Sequence, residues 1–524
     1  MMTSTIFTIA LSVVAAIYLG FMFKHDMQMM QQNTYRNERY IKWLKMSKDA
    51  SSMTRIGIIA ILMMLLAFPF FWSQAAAVGI LAAMAVVAAR KKYKKPVVFT
   101  KRVWRLYLSC WAAALATVIA TACINWTYIP NVVILITIIS YGYTIVVNRI
   151  LKPVEESINQ DFVNDAKKRL EAMNDMIIVG ITGSYGKTST KHYLNRILNE
   201  KYNVLMTPGS FNTPMGVVRT VREMMQPYNN LFIVEMGAKN IGDIKEICDI
   251  VHPTVGIVTA VGPQHLESFK SIENVQRTKF ELVDALPDNG FAVVNNDFEY
   301  VANRKIENVS FVRYAVSSDV KKADYYADNI VYSPTGTSFQ MHTPDGEIVE
   351  LNTKLVGECN ISNLMAAVIV AMKLEVPVEK IKYAASKIEQ VEHRLNMKRT
   401  AGGITIIDDA FNSNPDGSRM ALEVLSKMNT GKRIVITPGM IELGDKQFEY
   451  NEIFGTTVSK CSDVAIVVGE YNREAIVSGI EKGNNKNLKM ITVDSFAAAQ
   501  VELQKIVAPG DVVLYENDLP DTFK

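Results

Sequence analysis

The sequence predicts an α-helical, membrane-crossing N-terminal region followed by an α/β protein built from two units. Three observations lead there. Before Pro153 the chain consists of apolar runs of helix length separated by clusters of Lys and Arg. From Ile177 onward, short apolar runs alternate with helix-length stretches, the pattern of a largely parallel sheet covered by helices. After about Thr400 the same alternation begins again.

Five N-terminal segments look long and apolar enough to cross a bilayer, which takes about 20 residues of helix and fewer when the helix is short. They are Ser4–Phe23, Ile56–Trp72, Gln74–Ala89, Leu106–Ile124 and Val132–Val147, the second and third forming a tight hairpin. A cleaved signal peptide is the alternative for the first, but its positive charges follow the apolar run instead of preceding it. Seven Lys and Arg fall from Lys24 to Arg55 and eight from Arg90 to Arg105, whereas "FWSQ" and "NWTYIPN" carry none. Basic loops stay on the cytoplasmic side, which puts the N-terminus outside and everything after Arg149 in the cytosol. The stretch "RNERYIKWLKM" reads either as an amphipathic helix on anionic lipid or as a solvated linker. The net charge of +4 on 524 residues gives no indication of nucleic acid. The five cysteines form no C-x-x-C pair, so neither a zinc ribbon nor a disulfide framework is expected.

A charged helical linker, "EESINQDFVNDAKKRLEAMND", leads into the α/β part. The strands expected first are "MIIVGIT", "LFIVEMG", "VGIVTAV" and "FAVVNND"; in the second unit they are "ITIIDDAF", "RIVITPGM", "VAIVVGEY" and "DVVLYEN". The boundaries that follow are 1–150 for the membrane region, 151–176 for the linker, 177–395 for a central domain and 396–524 for a C-terminal domain.

The chemistry concentrates in "VGITGSYGKTST", a strand breaking into a glycine turn that opens a helix. Successive backbone N–H groups and then a helix N-terminus face an anion there. Gly183 and Gly186 allow close backbone approach, Lys187 neutralises outer phosphate charge, and the Thr188 hydroxyl can ligate Mg²⁺. The full phosphate-loop pattern G-x-x-x-x-G-K-[ST] is not met, because Ile181 stands in place of its first glycine. A glycine turn between strand and helix also has purely structural uses. Glu235 ends the strand "FIVEMGA", at the carboxyl edge where α/β ligand sites lie, and His265 follows the next strand in "TAVGPQHLESF".

These motifs resemble the Mur ligase family of ATP-dependent enzymes that add amino acids or dipeptides to cell-wall precursors, most closely the type adding D-alanyl-D-alanine. The resemblance runs from about Ile177 to Val513 and rests on "GSYGKTST", "EMGA", "GPQHLESFKSIENVQRTKFEL", "VVNND", "GECNISNLMAA", "EHRLN", "IDDAFNSNPDG" and "PGMIELG". It implies a phosphate-loop central domain and a Rossmann-like C-terminal domain. It also implies ATP, two magnesium ions and an acyl-phosphate intermediate. Gly183, Ser184, Tyr185, Gly186, Lys187, Thr188 and Ser189 would cradle the phosphates. Thr188 and Glu235 would hold one magnesium; His265 and Lys279, the latter carbamylated, would hold the other. Asn360 and Asn363 would lie near adenine, Arg394 at the γ-phosphate, and Asp409 at the ribose with Asn414 beside it. Lys187, His265, Lys279 and Arg394 would be the catalytic set.

Three departures stand out. Cys359 and Phe411 replace the His and Tyr usual at those places. The ending "VLYENDLPDTFK" lacks the expected K-G-S run, which leaves the incoming amine open. Apolar helices stand where the family carries a UDP-sugar-binding domain. The expected protein is therefore an ATP-dependent amide ligase at the cytoplasmic membrane of a bacterium. Its partners would be the lipid bilayer, a lipid-linked or UDP-linked muropeptide, and an amino acid or dipeptide. Lys91, Lys92, Lys94 and Lys95 would lie near a lipid-linked acceptor's anionic head. The alternatives are a poly-γ-glutamate-type synthetase, an ATP-driven transporter, and an inactive scaffold with the same fold.

Overall fold

The computed structural model of the chain describes residues 2–47, 53–67, 70–91, 93, 96–173, 175–316, 323–333, 336–392, 394–410 and 413–518. Lys92, Lys94, Lys95 and Phe411 lie outside the described residues. The chain divides into two compact units, one within the first 160 residues and one spanning Asp161–Asp518.

The first unit is helical: α1 (Met2–Gln32), α2 (Asn37–Ser47), α3 (Met53–Ala67), α4 (Phe71–Arg90), α5 (Lys101–Asn125), α6 (Ile129–Ile138) and the beginning of α7 (Ser140–Glu171). Leu11, Ala15, Tyr18 and Met22, spaced three and four apart on α1, pack against Leu62 of α3, Leu81 of α4 and Ile134 of α6. Ile9, Val13 and Ile17 of α1 point outward and are more than half exposed. The runs Ile9–Gln32, Trp72–Arg90 and Lys101–Ile138 are long and apolar enough to cross a membrane; Ile56–Ala67 is apolar but shorter.

Two expectations are refined here. The stretch read as lipid-bound helix or linker is a helix whose Tyr40, Trp43 and Leu44 are buried against Phe23, Met27 and Leu106. Those three apolar residues are turned to protein, while Ile41 and Met46 stay exposed. The fifth expected segment is not one helix, because the chain breaks at Ile139 between α6 and α7. The hydroxyls of Thr137 and Thr144 bond back to the carbonyls of Ile134 and Ser140 at 2.7 and 3.2 Å, a habit that bends helices. Helix α7 then runs unbroken through Pro153 into the linker.

The second unit holds two sheets. Nine strands form the first: β1 (Ile177–Thr182), β2 (Val204–Met206), β3 (Leu231–Glu235), β4 (Val255–Val258), β5 (Phe291–Asn295), β6 (Ser310–Ala315), β7 (Tyr325–Ser333), β8 (Gly336–His342) and β9 (Ile348–Thr353). Their order is β2-β3-β1-β4-β5-β6-β7-β8-β9, parallel as far as β7 and antiparallel beyond. The second sheet contains β10 (Asn396–Arg399), β11 (Thr405–Asp409), β12 (Arg433–Thr437), β13 (Val464–Val468), β14 (Lys489–Val493) and β15 (Val512–Glu516), ordered β10-β11-β15-β12-β13-β14. The eight strands read from the sequence are all present. Those not read are short or half exposed; β9, for example, alternates exposed and buried residues along its length.

Strand β1 is central because both of its faces are covered. Val179 and Ile181 join a core with helix α8 (Lys187–Leu198) and the helix Glu358–Lys373, while Ile178 belongs to a second core with Phe280 and Leu282. Its neighbours are β3 and β4. The ends of these three strands carry the glycine turn, Glu235 and, a few residues on, His265.

Candidate active site

The glycine turn sits on the end of β1 and is braced from β4. Ser184 donates its backbone N–H to the Ala260 carbonyl at 2.8 Å, and its hydroxyl oxygen accepts from the Gly262 N–H at 3.1 Å. Gly183 has φ +150°, and a Cβ there would lie 2.1 Å from the Thr259 hydroxyl. Gly186, with φ +80°, begins α8; a Cβ on it would meet the Asn363 side-chain oxygen at 2.3 Å. The turn therefore keeps bare backbone at a helix N-terminus, the geometry that binds phosphate. Ser189 is buried in the first turn of α8. Lys187 donates to the carbonyls of Gly183 and Ser184 at 2.7 and 3.3 Å. Burial brings its ammonium down to about 8; Glu235 opposes that shift and Arg394 adds to it.

Glu235 is 1% exposed. One carboxylate oxygen accepts from the Thr188 hydroxyl at 3.2 Å and from Asn212 at 3.0 Å. The other, Oε2, has the Lys191 ammonium at 2.9 Å but no donor in hydrogen-bonding geometry. Burial alone would push this carboxyl up, but Lys191 and then Lys187 hold it below the ordinary carboxylate range. A hydroxyl and an ionised carboxylate with an unsatisfied oxygen are the hard oxygen donors that magnesium takes. Among the described residues no three His, Cys, Asp or Glu side chains form a metal cage. Magnesium bound largely through phosphate oxygens needs none, so the residues present fit it.

The remaining predicted residues fall into two groups. Lys279 is 1% exposed on the helix Ile272–Asp284, with no hydrogen-bond or ion-pair partner among the described residues. Burial, and after it the charge of Lys187, push its amine well down; its charge is also felt at His265. Arg394 stands in the field of both Asp409 and Glu235. Burial raises Asp409 to about 6, and its Oδ1 accepts the Leu395 N–H at 3.1 Å. Thr188, Asn212, Glu235 and Arg394 line one cleft of about 740 Å³ with His192 and Gln390. By contrast, Asn360 is committed to packing: it accepts from the Tyr193 hydroxyl at 2.8 Å and donates to the Val356 carbonyl at 2.9 Å. Asn363 accepts from Thr190 at 3.2 Å beside Gly186. Asn414 caps the helix Pro415–Ser426, accepting the Gly417 N–H at 2.9 Å.

Several residues at the site were not singled out in the sequence. Lys191 lies one helical turn past Lys187, on the face turned to β3, a spacing that could have marked it. Asn212 lies in "SFNTP". The second sheet's flanking segments also reach in: Asp416, in the first turn of the helix Pro415–Ser426, accepts from the Tyr185 hydroxyl, and Glu442 of "PGMIELG" accepts from His265 Nδ1 and, at 2.8 Å, from Lys239. Burial keeps the His265 imidazole toward its neutral form despite the carboxylate. For Glu442 the upward pull of burial is outweighed by His265 and Lys239, which keep it ionised.

A glycine turn, a lysine and a buried magnesium-type donor pair at a strand edge define a nucleotide-binding α/β protein of the phosphate-loop kind. Residues 181–371 match the Mur ligase middle domain and residues 393–515 the Mur ligase, glutamate ligase domain. The UDP-N-acetylmuramoyl-tripeptide–D-alanyl-D-alanine ligase of Buchnera aphidicola subsp. Baizongia pistaciae is 31% identical over 322 residues, covering 60% of this chain and 69% of that one. MurF from Acinetobacter baumannii superposes with a TM-score of 0.61 at 26% identity, over 68% of this chain and 76% of its own. MurF from Thermotoga maritima, solved in complex with ADP, has the same fold, with a TM-score of 0.61 at 24% identity over 68% and 80% of the two chains. The chain belongs to the Mur ligase family. It spans 58–70% of the length of curated relatives with this ligase name.

The Lys187 environment sets a pH dependence. A lysine whose folded pKa is depressed loses its charge as pH rises through that value, here about 8. ATP affinity of the free protein should therefore decline between about pH 7 and 9, and Lys187→Arg, which stays charged, should remove that decline. Calorimetric titration at a series of pH values checks this; affinity unchanged across the range would reject it.

Proposed function

We propose that this chain is an ATP-dependent amide ligase of bacterial cell-wall synthesis, joining a D-alanyl-D-alanine-type dipeptide to the terminal carboxylate of a muramoyl tripeptide. One observation carries the reading: Lys187, Thr188 and Glu235 converge at the end of β1 and β3 in a chain of this family. The acceptor carboxylate takes the γ-phosphoryl group, giving an acyl phosphate; the dipeptide amine then attacks the acyl carbon and phosphate leaves. Magnesium, when bound, offsets the charge that gathers on the transferring group. Gly183, Ser184, Tyr185, Gly186 and Ser189 shape the phosphate cradle, and Lys187 supplies its cation. Arg394 faces the outer phosphate, and Asp409 takes the ribose. Asn360, Asn363 and Asn414 hold the surrounding helices in place around the nucleotide. His265, with Lys279 in its carbamylated form, would hold a second magnesium when that ion is bound.

The relatives that are D-alanyl-D-alanine ligases by name support the dipeptide as the amine. The ending "VLYENDLPDTFK" lacks the family's K-G-S run, so the assay should offer single amino acids beside the dipeptide. Release of ADP should require both a muramoyl tripeptide and the dipeptide. Lys187→Ala and Thr188→Ala should each lower turnover by about 100- to 1,000-fold, the range for removing a group that stabilises transition-state charge. A folded Lys187→Ala protein with near-normal turnover would sink the phosphate-loop assignment.

Lys279 is proposed to be carbamylated. A buried amine held neutral is the form that captures CO₂, and the resulting carbamate gains a negative charge suited to the metal. Lys279→Ala should lose most activity and recover part of it in added short-chain carboxylate. Full activity without rescue would exclude the modification.

The helical unit is proposed to sit in the cytoplasmic membrane, with the α/β unit in the cytosol. Three runs of sufficient length and the outward stripe of Ile9, Val13 and Ile17 support this. Exposed apolar stripes of this kind suit lipid contact. The acceptor is then proposed to be lipid-linked. A chain beginning near Pro153 should bind ATP and magnesium normally but ligate poorly, with the deficit in apparent acceptor affinity, because binding energy remote from the reacting group positions that group. Equal activity of the two forms on a UDP-linked tripeptide would show that the helical unit has no part in recognition.

A further inference from the structure

Glu442 lies between β12 and the turn Gly444–Lys446, in the part of the chain matched to the second family domain. It has a left-handed backbone, φ +63°, and so does His265, φ +52°. Such non-glycine outliers persist only where the surroundings over-determine them, and they cluster at functional sites. The contact between the two is built on every level. Glu442 accepts from His265 Nδ1, and Lys239 donates to both of its carboxylate oxygens at 2.8 and 3.2 Å. Its backbone carbonyl also accepts the Glu267 N–H at 3.2 Å. Lys239 follows β3 and His265 follows β4, and these are the two strands flanking β1. One carboxylate therefore clasps the loops on both sides of the phosphate turn.

We infer that Glu442 is a positioning residue, carried by the C-terminal domain, that fixes His265 with Nδ1–H directed at the carboxylate and Nε2 presented to the phosphate site. This rests on the reading of His265 as a residue serving the second magnesium. An imidazole has two nitrogens, and the partner of one decides what the other can do. A carboxylate on Nδ1 makes Nε2 the acceptor, an arrangement typical of metal-ligating histidines. Because that carboxylate arrives from the C-terminal domain, the imidazole is held for its task only when that domain is docked.

The test uses the full chain with ATP and Mn²⁺, whose binding is read by paramagnetic resonance alongside turnover and thermal midpoint. Glu442→Ala should weaken the second Mn²⁺ about 10- to 100-fold, the usual effect of removing such a partner, with kcat falling and the KM for ATP little changed. Glu442→Gln keeps an acceptor for Nδ1–H but loses the ion pair to Lys239, so it should recover most of the metal affinity. In a His265→Ala background the Glu442→Ala change should have no further effect on metal binding. A Glu442→Gln protein as impaired as Glu442→Ala, or a loss that persists without His265, would overturn the inference and leave only a domain-docking ion pair. A His265→Ala protein with normal metal affinity would instead overturn the underlying reading of His265, and the inference with it.

Discussion

A carboxylate withdrawn from water at the end of a central strand stays ionised only when cations stand against it, and Glu235 has this problem at its most acute. Its side chain and that of Lys191 are 2% and 0% exposed, with 2.9 Å between the ammonium and Oε2. Taking two charges out of water costs more than their attraction commonly returns, and an apolar pair would join β3 to α8 at least as well. Stability is therefore a poor reason for the pair. What it secures is a fixed negative charge beside the Thr188 hydroxyl, on a sheet edge, with Lys187 and Arg394 in its field. The rest of the site follows from keeping that charge. Lys191 needs the Gly209 carbonyl at 2.8 Å to satisfy its ammonium, which in turn pins the loop that carries Asn212 back onto Glu235.

The two sheets meet through groups that are themselves part of the site, and this couples docking to chemistry. Tyr185 belongs to the phosphate turn, yet its hydroxyl is held by Asp416; a Cβ on Gly262 would fall 1.2 Å from that hydroxyl, so the glycine makes room for the contact. Arg394 lies where the chain passes from the first sheet to the second and senses a carboxylate on each side. Separating the sheets would unbalance the phosphate turn and Arg394 together. Reactants positioned by such an assembly gain the advantage of fixed orientation only when every part is in place.

The strands that carry the site were legible because buried parallel strands are near-continuous apolar runs, as in "IIVGIT" and "LFIVE". The glycine turn was legible because its conformation admits few other residues. Asn360 and Asn414 show where such reading stops. Their positions are recognisable in sequence, but hydrogen bonds to Tyr193 and Gly417 decide what their side chains do, and those partners come from folding. Lys279 is the sharper case. A lysine on a helix is ordinarily exposed, and only the packing around residues 272–284 shows that this one is buried with no ion-pair partner among the described residues. Glu442 was visible within a motif, but its meaning depends on a histidine 177 positions away.

Helix α2 sharpens what a membrane surface would sense. An amphipathic helix that lies on lipid puts its apolar face into the acyl boundary. Here Tyr40, Trp43 and Leu44 are already buried in protein, one of them through a hydrogen bond from Tyr40 to Asp26 at 3.0 Å. The exposed side carries Lys42 and Lys45, with Arg36 just before the helix, and also the apolar Ile41 and Met46. Contact made through that side would have an electrostatic part, selective for anionic head groups and weakened by salt, beside a smaller apolar part from Ile41 and Met46. On the proposed reading this division of labour is coherent. Apolar stripes such as that of α1 would hold the chain at the bilayer, while a cationic surface on the cytosolic side would recruit phosphate-bearing acceptors there. A lipid-linked acceptor, if that is the substrate as proposed, would reach the ligase at a raised local concentration, which would supply the acceptor-holding role through confinement.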